Sequence, residues 1–201
     1  MGTGGLLNVL NDRMRISSVK NSVPVMKLIK NHNPLSHREL YDLIEYHYTH
    51  KCPCGVRSKG SVYDFGKNLY DAQLEFWGEY MFSLDECIQW EYDLFVVNSL
   101  KGASMEEEAL RVLRSVLPDF YSVDTVCNRV DVDFRVDLEI RWFGFLLLGV
   151  QVKPESYCYM EDEVTGVNSV LNSLYPVEVR YLFYDGDGVF VNLDEVVGGL
   201  L

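Results

Sequence analysis

Apolar positions in the second half of the chain change period several times, and each change predicts an element. Ala109, Val112, Leu113, Val116 and Leu117 recur at three- and four-residue spacing, the stripe of a half-buried helix, and Pro118 ends it. Ser104 stands where an N-cap would, with Glu107 three residues on as in a capping box, and acids there suit the positive end of the dipole. Residues 132–142 and 145–153 then read as two strands joined through Gly144. Residues 160–174 return to helical spacing at Val164, Val167, Val170, Leu171 and Leu174, closed by Pro176. Residues 177–184 form another expected strand, and Asp185-Gly186-Asp187-Gly188 is a hairpin turn leading to residues 189–191. Helix, strands, helix, strand predicts an α/β (α+β) fold, a mixed β-sheet flanked by helices.

The first part of the chain has a different texture. Residues 6–60 are broken by Pro24, Pro34 and Pro53 and read as a basic helical N-terminal arm, leaving 61–201 as the α/β body. Aromatic residues crowd positions 64–98, among them Tyr70, Phe76, Trp77, Trp90 and Phe95, and belong to the core. With 201 residues and 48% hydrophobic content, the chain can bury one sizeable core. The longest apolar run, residues 143–150, is far short of the roughly twenty needed to span a bilayer, so no membrane segment is expected.

Candidate chemistry concentrates in residues 131–153. Gln151 and Lys153 are two apart on a strand and share a face, whereas Val150 and Val152 point the other way. A lysine on the inner face of an apolar hairpin either lays its stem along the sheet with its amine in water or serves phosphate chemistry. In the second case acids and neutral oxygens gather a hard divalent cation, and the lysine orients or protonates the reacting oxygen. Asp131, Asp133 and Asp137 would share one strand face and compete as the acid. Glu106, on the packed side of its helix, is the first choice for a second carboxylate, with Glu107 in reserve.

Asp137, thirteen residues, then Gln151-Val152-Lys153 resembles the PD-(D/E)XK nuclease signature in its variant with Gln at the second acid. Lys153-Pro154 with Ser156-Tyr157, and upstream Asn33-Pro34-Leu35-Ser36-His37 and Lys101-Gly102, resemble the MjaI-type type II restriction endonucleases in particular. The resemblance implies a restriction-endonuclease-like core and Mg2+-dependent hydrolysis of a short specific duplex DNA sequence, leaving 5'-phosphate ends. Asp137, the Gln151 side-chain oxygen, the Val152 carbonyl and Glu106 would hold Mg2+, and Lys153 would assist the attacking water. It also implies a homodimer, one active site per strand of a palindrome.

Charge bears on where DNA would bind. The net charge is -12, yet residues 1–60 carry +5 and residues 61–201 carry -17. Polyanion binding depends on where positive charge sits, and Lys20, Lys27, Lys30, Arg38, Lys51, Arg57 and Lys59 are the expected backbone contacts. The same segment holds His47, His50, Cys52 and Cys54 within eight residues, donors that suit Zn2+, with His32 or His37 able to substitute for one of them. Five cysteines and no signal-like N-terminus suggest a reducing, cytoplasmic setting. The alternative is a non-catalytic, zinc-containing nucleic-acid-binding protein on a degenerate nuclease fold; a third reading is an adaptor whose hairpin lysine only packs.

Overall fold

The computed structural model describes residues 3–17, 22–159 and 162–200, in two compact units, Met1–Ala103 and Ser104–Leu201. The first unit is helical: α1 (Thr3–Met14), α2 (Val25–His32), α3 (His37–Thr49), α4 (Val62–Trp77) and α5 (Leu84–Tyr92). A π-helical segment, Asp93–Asn98, leads directly into α6 (Ser99–Val116), and the division between the units falls inside α6.

Local sequence sets the helix starts. Ser61 and Ser83 each accept from the backbone N–H three residues on, and Asp64 and Glu86 reach back to the N–H of the cap. Packing then joins the helices. Val25, Leu28, Leu40, Ile44, Val62, Phe65 and Val96 form one buried cluster, and Leu7, Leu10, Leu69 and Cys87 anchor a second. At Gly66 a Cβ would come within 2.6 Å of the Ile88 Cα, so α4 and α5 meet at backbone distance. Because Val62 and Phe65 share their cluster with α2 and α3, the division lies at Ala103/Ser104 rather than at residue 60. The basic segment is thus part of a unit that carries eleven Lys/Arg and twelve Asp/Glu in all.

Two buried polar side chains mark this unit. Gln73 accepts from the N–H groups of Met81 and Phe82 and donates to the Phe82 carbonyl (2.9, 2.8 and 3.0 Å), closing the loop after α4. Glu91 is fully buried, and the Ser17 hydroxyl lies 2.8 and 2.7 Å from its two oxygens. Burial pushes the Glu91 carboxyl up to about 7 against the opposing pull of that hydroxyl.

The second unit contains β1 (Tyr121–Thr125), α7 (Asn128–Phe134), β2 (Leu138–Trp142), β3 (Phe145–Pro154), a 3-10 segment (Glu155–Tyr159), α8 (Asp162–Ser173), β4 (Val179–Tyr184) and α9 (Leu193–Val197). The sheet order is β1-β2-β3-β4, antiparallel through β3, with β4 parallel to β3. This bears out the mixed α+β class. Phe143 and Gly144, both at positive φ, make the two-residue turn between β2 and β3.

Register gives the sheet two unlike faces. Val123, Leu138, Ile140, Leu148, Val150, Val152 and Leu182 pack with Met105, Ala109 and Leu113 of α6 and with Val196 and Val197 of α9. The opposite face carries Asp124, Glu139, Arg141, Gln151, Lys153, Tyr181 and Phe183.

Several expectations are corrected. Residues 131 and 133 lie in α7, not in a strand; a D-V-D-F alternation is too short to separate a two-residue period from one helical turn. The strand β1 was not expected. No cap is needed at Ser104, because α6 already continues from the π-helical segment, so Glu107 lies exposed in mid-helix. The expected turn after β4 is present: Tyr184 and Phe190 form an antiparallel bridge, the Val191 N–H donates to the Phe183 carbonyl, and the Asp185 carboxylate accepts from the N–H groups of Asp187 and Val189.

Candidate functional site

Asp137 stands where the chain leaves α7 and enters the sheet. Arg135, in the left-handed region at φ 57°, closes α7, and the Asp137 N–H donates to the Val150 carbonyl at 2.9 Å. The Asp137 carboxylate then accepts from the Val152 N–H at 2.7 Å, taking the ladder position beyond the end of β2. Extending the β2–β3 register by one residue sets Asp137 opposite Gln151, whose neighbour on the other side is Tyr181.

Gln151 is 1% exposed, and its Oε1 has no hydrogen-bond donor among the described residues. An unmet buried acceptor costs about 1–3 kcal/mol, so this oxygen needs a reason. Lys153 follows on the same face, half-buried, with Nζ 5.9 Å from the centre of the Tyr157 ring.

A hydrogen-bonded scaffold fixes the surroundings. Tyr157 stacks on Tyr181 at 5.6 Å and accepts from Asn168 of α8 at 2.7 Å. Asn172, also on α8, accepts from the Tyr181 hydroxyl at 2.6 Å and donates to the Phe134 carbonyl at 2.9 Å. Burial, then the adjacent Tyr157, raises the Tyr181 phenol above its ordinary range and keeps it a donor. Thus α8 ties the end of α7, which delivers Asp137, to the strand beside Gln151. This helix turns Asn168 and Asn172 to the sheet unit's polar groups and leaves Val167 and Val170, and Leu174 just beyond its end, exposed by 58%, 61% and 64%.

Glu106 comes from α6, which packs on the other face. Burial, and then the charge of Glu106, raises the hydroxyl of Tyr184, the residue paired with Pro154. Glu107 is exposed, Glu108 pairs with Arg111, and Asp133 lies 3.4 Å from Arg129. The structure therefore gathers Asp137, Gln151, Val152 and Lys153, and leaves Asp133 and Glu107 outside that group.

The second cluster lies in the first unit. One ligand atom each from His32, His47, Cys52 and Cys54 falls within 4.8 Å of the others, so these four could hold a metal ion. His47 is 0% exposed; its Nδ1 is 2.7 Å from the Leu43 carbonyl and its Nε2 is 3.3 Å from Cys54 Sγ. His50, expected in this set, stacks on Tyr46 and bonds Thr49 instead, because α3 ends at Thr49 and His50 is its C-cap in extended conformation (φ -123°, ψ 153°). His32 takes its place. Of the two substitutes the sequence offers, His32 and His37, the choice depends on α2 ending beside α3.

Lys27, Lys30, Arg38, Lys51, Arg57 and Lys59 are all exposed, Arg38 with Asp42 3.9 Å away; Lys20 lies outside the described residues. Among the described residues no helix is long and apolar enough to cross a membrane. No family model, no curated protein and no solved structure matches this chain.

Proposed function

We propose that the chain is a Mg2+-dependent, site-specific endonuclease of the PD-(D/E)XK type acting on duplex DNA as a homodimer. The observation that carries this reading is the buried Gln151 Oε1, which has no donor among the described residues and belongs to the residue opposite Asp137. An acceptor so placed suits a cation better than it suits packing. Further support is the order α6, β1, α7, β2, β3, α8, β4, which contains the sequence of helix, hairpin, helix and strand that the resemblance calls for.

The donors are all hard oxygens and fit Mg2+: the Asp137 carboxylate, Gln151 Oε1 and the Val152 carbonyl; Glu106, on the helix that packs against the opposite face of the sheet, falls outside this set. When bound, the ion would neutralise charge on the scissile phosphate and acidify a water. Asp137 is held in place by the Val152 N–H, and Lys153 can donate a proton or hydrogen bond to the phosphate or the attacking oxygen. Glutamine in place of a second acid lowers the negative charge of the site by one, so a modest Mg2+ affinity is expected.

The test is incubation of purified protein with a long unmethylated duplex in Mg2+ and in EDTA. Discrete fragments with 5'-phosphate ends that vanish in EDTA are expected; intact DNA at all Mg2+ concentrations removes the catalytic reading. The His/Cys cluster favours a second reading, a zinc-containing protein that binds nucleic acid through the exposed cations of the first unit without cutting it. That reading predicts shifted but intact DNA.

A further inference from the structure

Four donors of type N2S2 gathered to within 4.8 Å select a tetrahedral, borderline-soft ion. With Zn–S about 2.3 Å and Zn–N about 2.0–2.1 Å, the N···S edge of such a tetrahedron is about 3.5 Å. His47 Nε2 and Cys54 Sγ, 3.3 Å apart, already span nearly that edge. The Leu43 carbonyl accepts from His47 Nδ1–H, which leaves the Nε2 lone pair facing the cluster. The Cys54 N–H lies 3.5 Å from Cys52 Sγ, which draws the two ends of the Cys-Pro-Cys turn together. With four protein donors and no position left for water or substrate, the site is of the structural type.

What the ion would do follows from what surrounds it. No residue from 50 to 55 is buried; the turn closed by Gly55 N–H to the Cys52 carbonyl is held only on its far side, where Val56 packs on the helical cluster and the Ser58 N–H donates to the His47 carbonyl. His32 is the last residue of α2 and His47 lies in the last turn of α3. Exposed cations flank the turn at Lys51, Arg57 and Lys59. Resting on the reading of this cluster as a zinc site, we propose that Zn2+ is a clasp: it fastens the Cys52–Gly55 turn to the ends of α2 and α3 and so holds Lys51, Arg57 and Lys59 as one phosphate-binding edge for duplex DNA.

The experiment uses the full chain, Zn2+ and a duplex of arbitrary sequence in EDTA-free buffer without Mg2+. One zinc per chain should survive dialysis, and cobalt substitution should give the visible bands of a tetrahedral thiolate site. Cys54→Ser should abolish retention, His32→Ala should weaken zinc binding at least about tenfold, and His50→Ala should leave it unchanged. Stripped protein should bind DNA at least about tenfold more weakly, with a salt slope shallower by about 2–3, since about one counterion is released per phosphate contact. In zinc-loaded chain, Arg57→Ala with Lys59→Ala should lower the slope by about 2 while zinc stays at one equivalent, a check independent of any folding defect.

No retained zinc, or equal loss on His50→Ala and His32→Ala, overturns the zinc reading and the clasp with it. Retained zinc with the same DNA affinity and salt slope before and after stripping overturns the clasp alone. So does a slope unmoved by the paired Arg57 and Lys59 change.

Discussion

Each unit buries a glutamine, and the two are opposites. Gln73 in the helical unit meets three backbone groups and closes a loop; Gln151 in the sheet unit has an oxygen that meets no donor among the described residues. The same residue type, equally hidden from water, is a structural bracket in one place and an open acceptor in the other. Burial of a polar side chain therefore says little about role until its hydrogen bonds are counted.

The sharpest way to break this contrast is to remove the chemistry without the volume. Gln151→Leu and Lys153→Ala should each reduce Mg2+-dependent cleavage by about 10²-fold or more, the usual scale for a lost acid–base or charge-stabilising group, with DNA binding largely kept. Cleavage rates and gel shifts on the same preparations decide it. Unimpaired cutting by Lys153→Ala would remove that residue from the proposed mechanism.

Next in size is the reverse experiment. Gln73→Leu orphans the Met81 and Phe82 groups and should cost about 2–4 kcal/mol in denaturant unfolding, since each buried group left unmet costs about 1–3 kcal/mol. Gln151→Leu removes an acceptor that meets no donor among the described residues and should stabilise the fold by up to about 1–3 kcal/mol. Equal losses from the two would erase the distinction.

Glu91 offers a pH-resolved version of the same accounting. Its carboxyl is raised from its ordinary value to about 7 by burial, so the folded state holds the proton more tightly than the unfolded chain. The stability this gives is fully present below about pH 4.5 and is lost as pH rises through about 7, at most about 3 kcal/mol in all. Melting curves of the parent should fall between pH 5 and pH 8, and Glu91→Gln should flatten that fall. A variant with the parent's pH dependence would assign it elsewhere.

How much was legible beforehand can be judged element by element. Helical spacing located the buried face of α6 and the extent of α8, and alternation with a turn signal located β2, β3 and β4. The short segment before Asp137 misled, since four alternating residues fit either period. Spacing in α8 gave its extent but not its orientation, which is set by Asn168 bonding Tyr157 and Asn172 bonding the Tyr181 hydroxyl and the end of α7.

Sequence by itself determined the local matters: caps at Ser61 and Ser83, the Phe143–Gly144 turn, the pairing of Gln151 with Lys153 on one face and the crowding of His and Cys between residues 47 and 54. These depend on neighbours within a few positions, where backbone geometry fixes which side chains meet. Tertiary structure alone decided that His32 replaces His50, that Asp137 and not Asp133 faces Gln151, and that residues 61–103 join the basic segment in one helical unit. Those outcomes rest on contacts between residues far apart in the chain, whose partners are chosen by how whole elements pack.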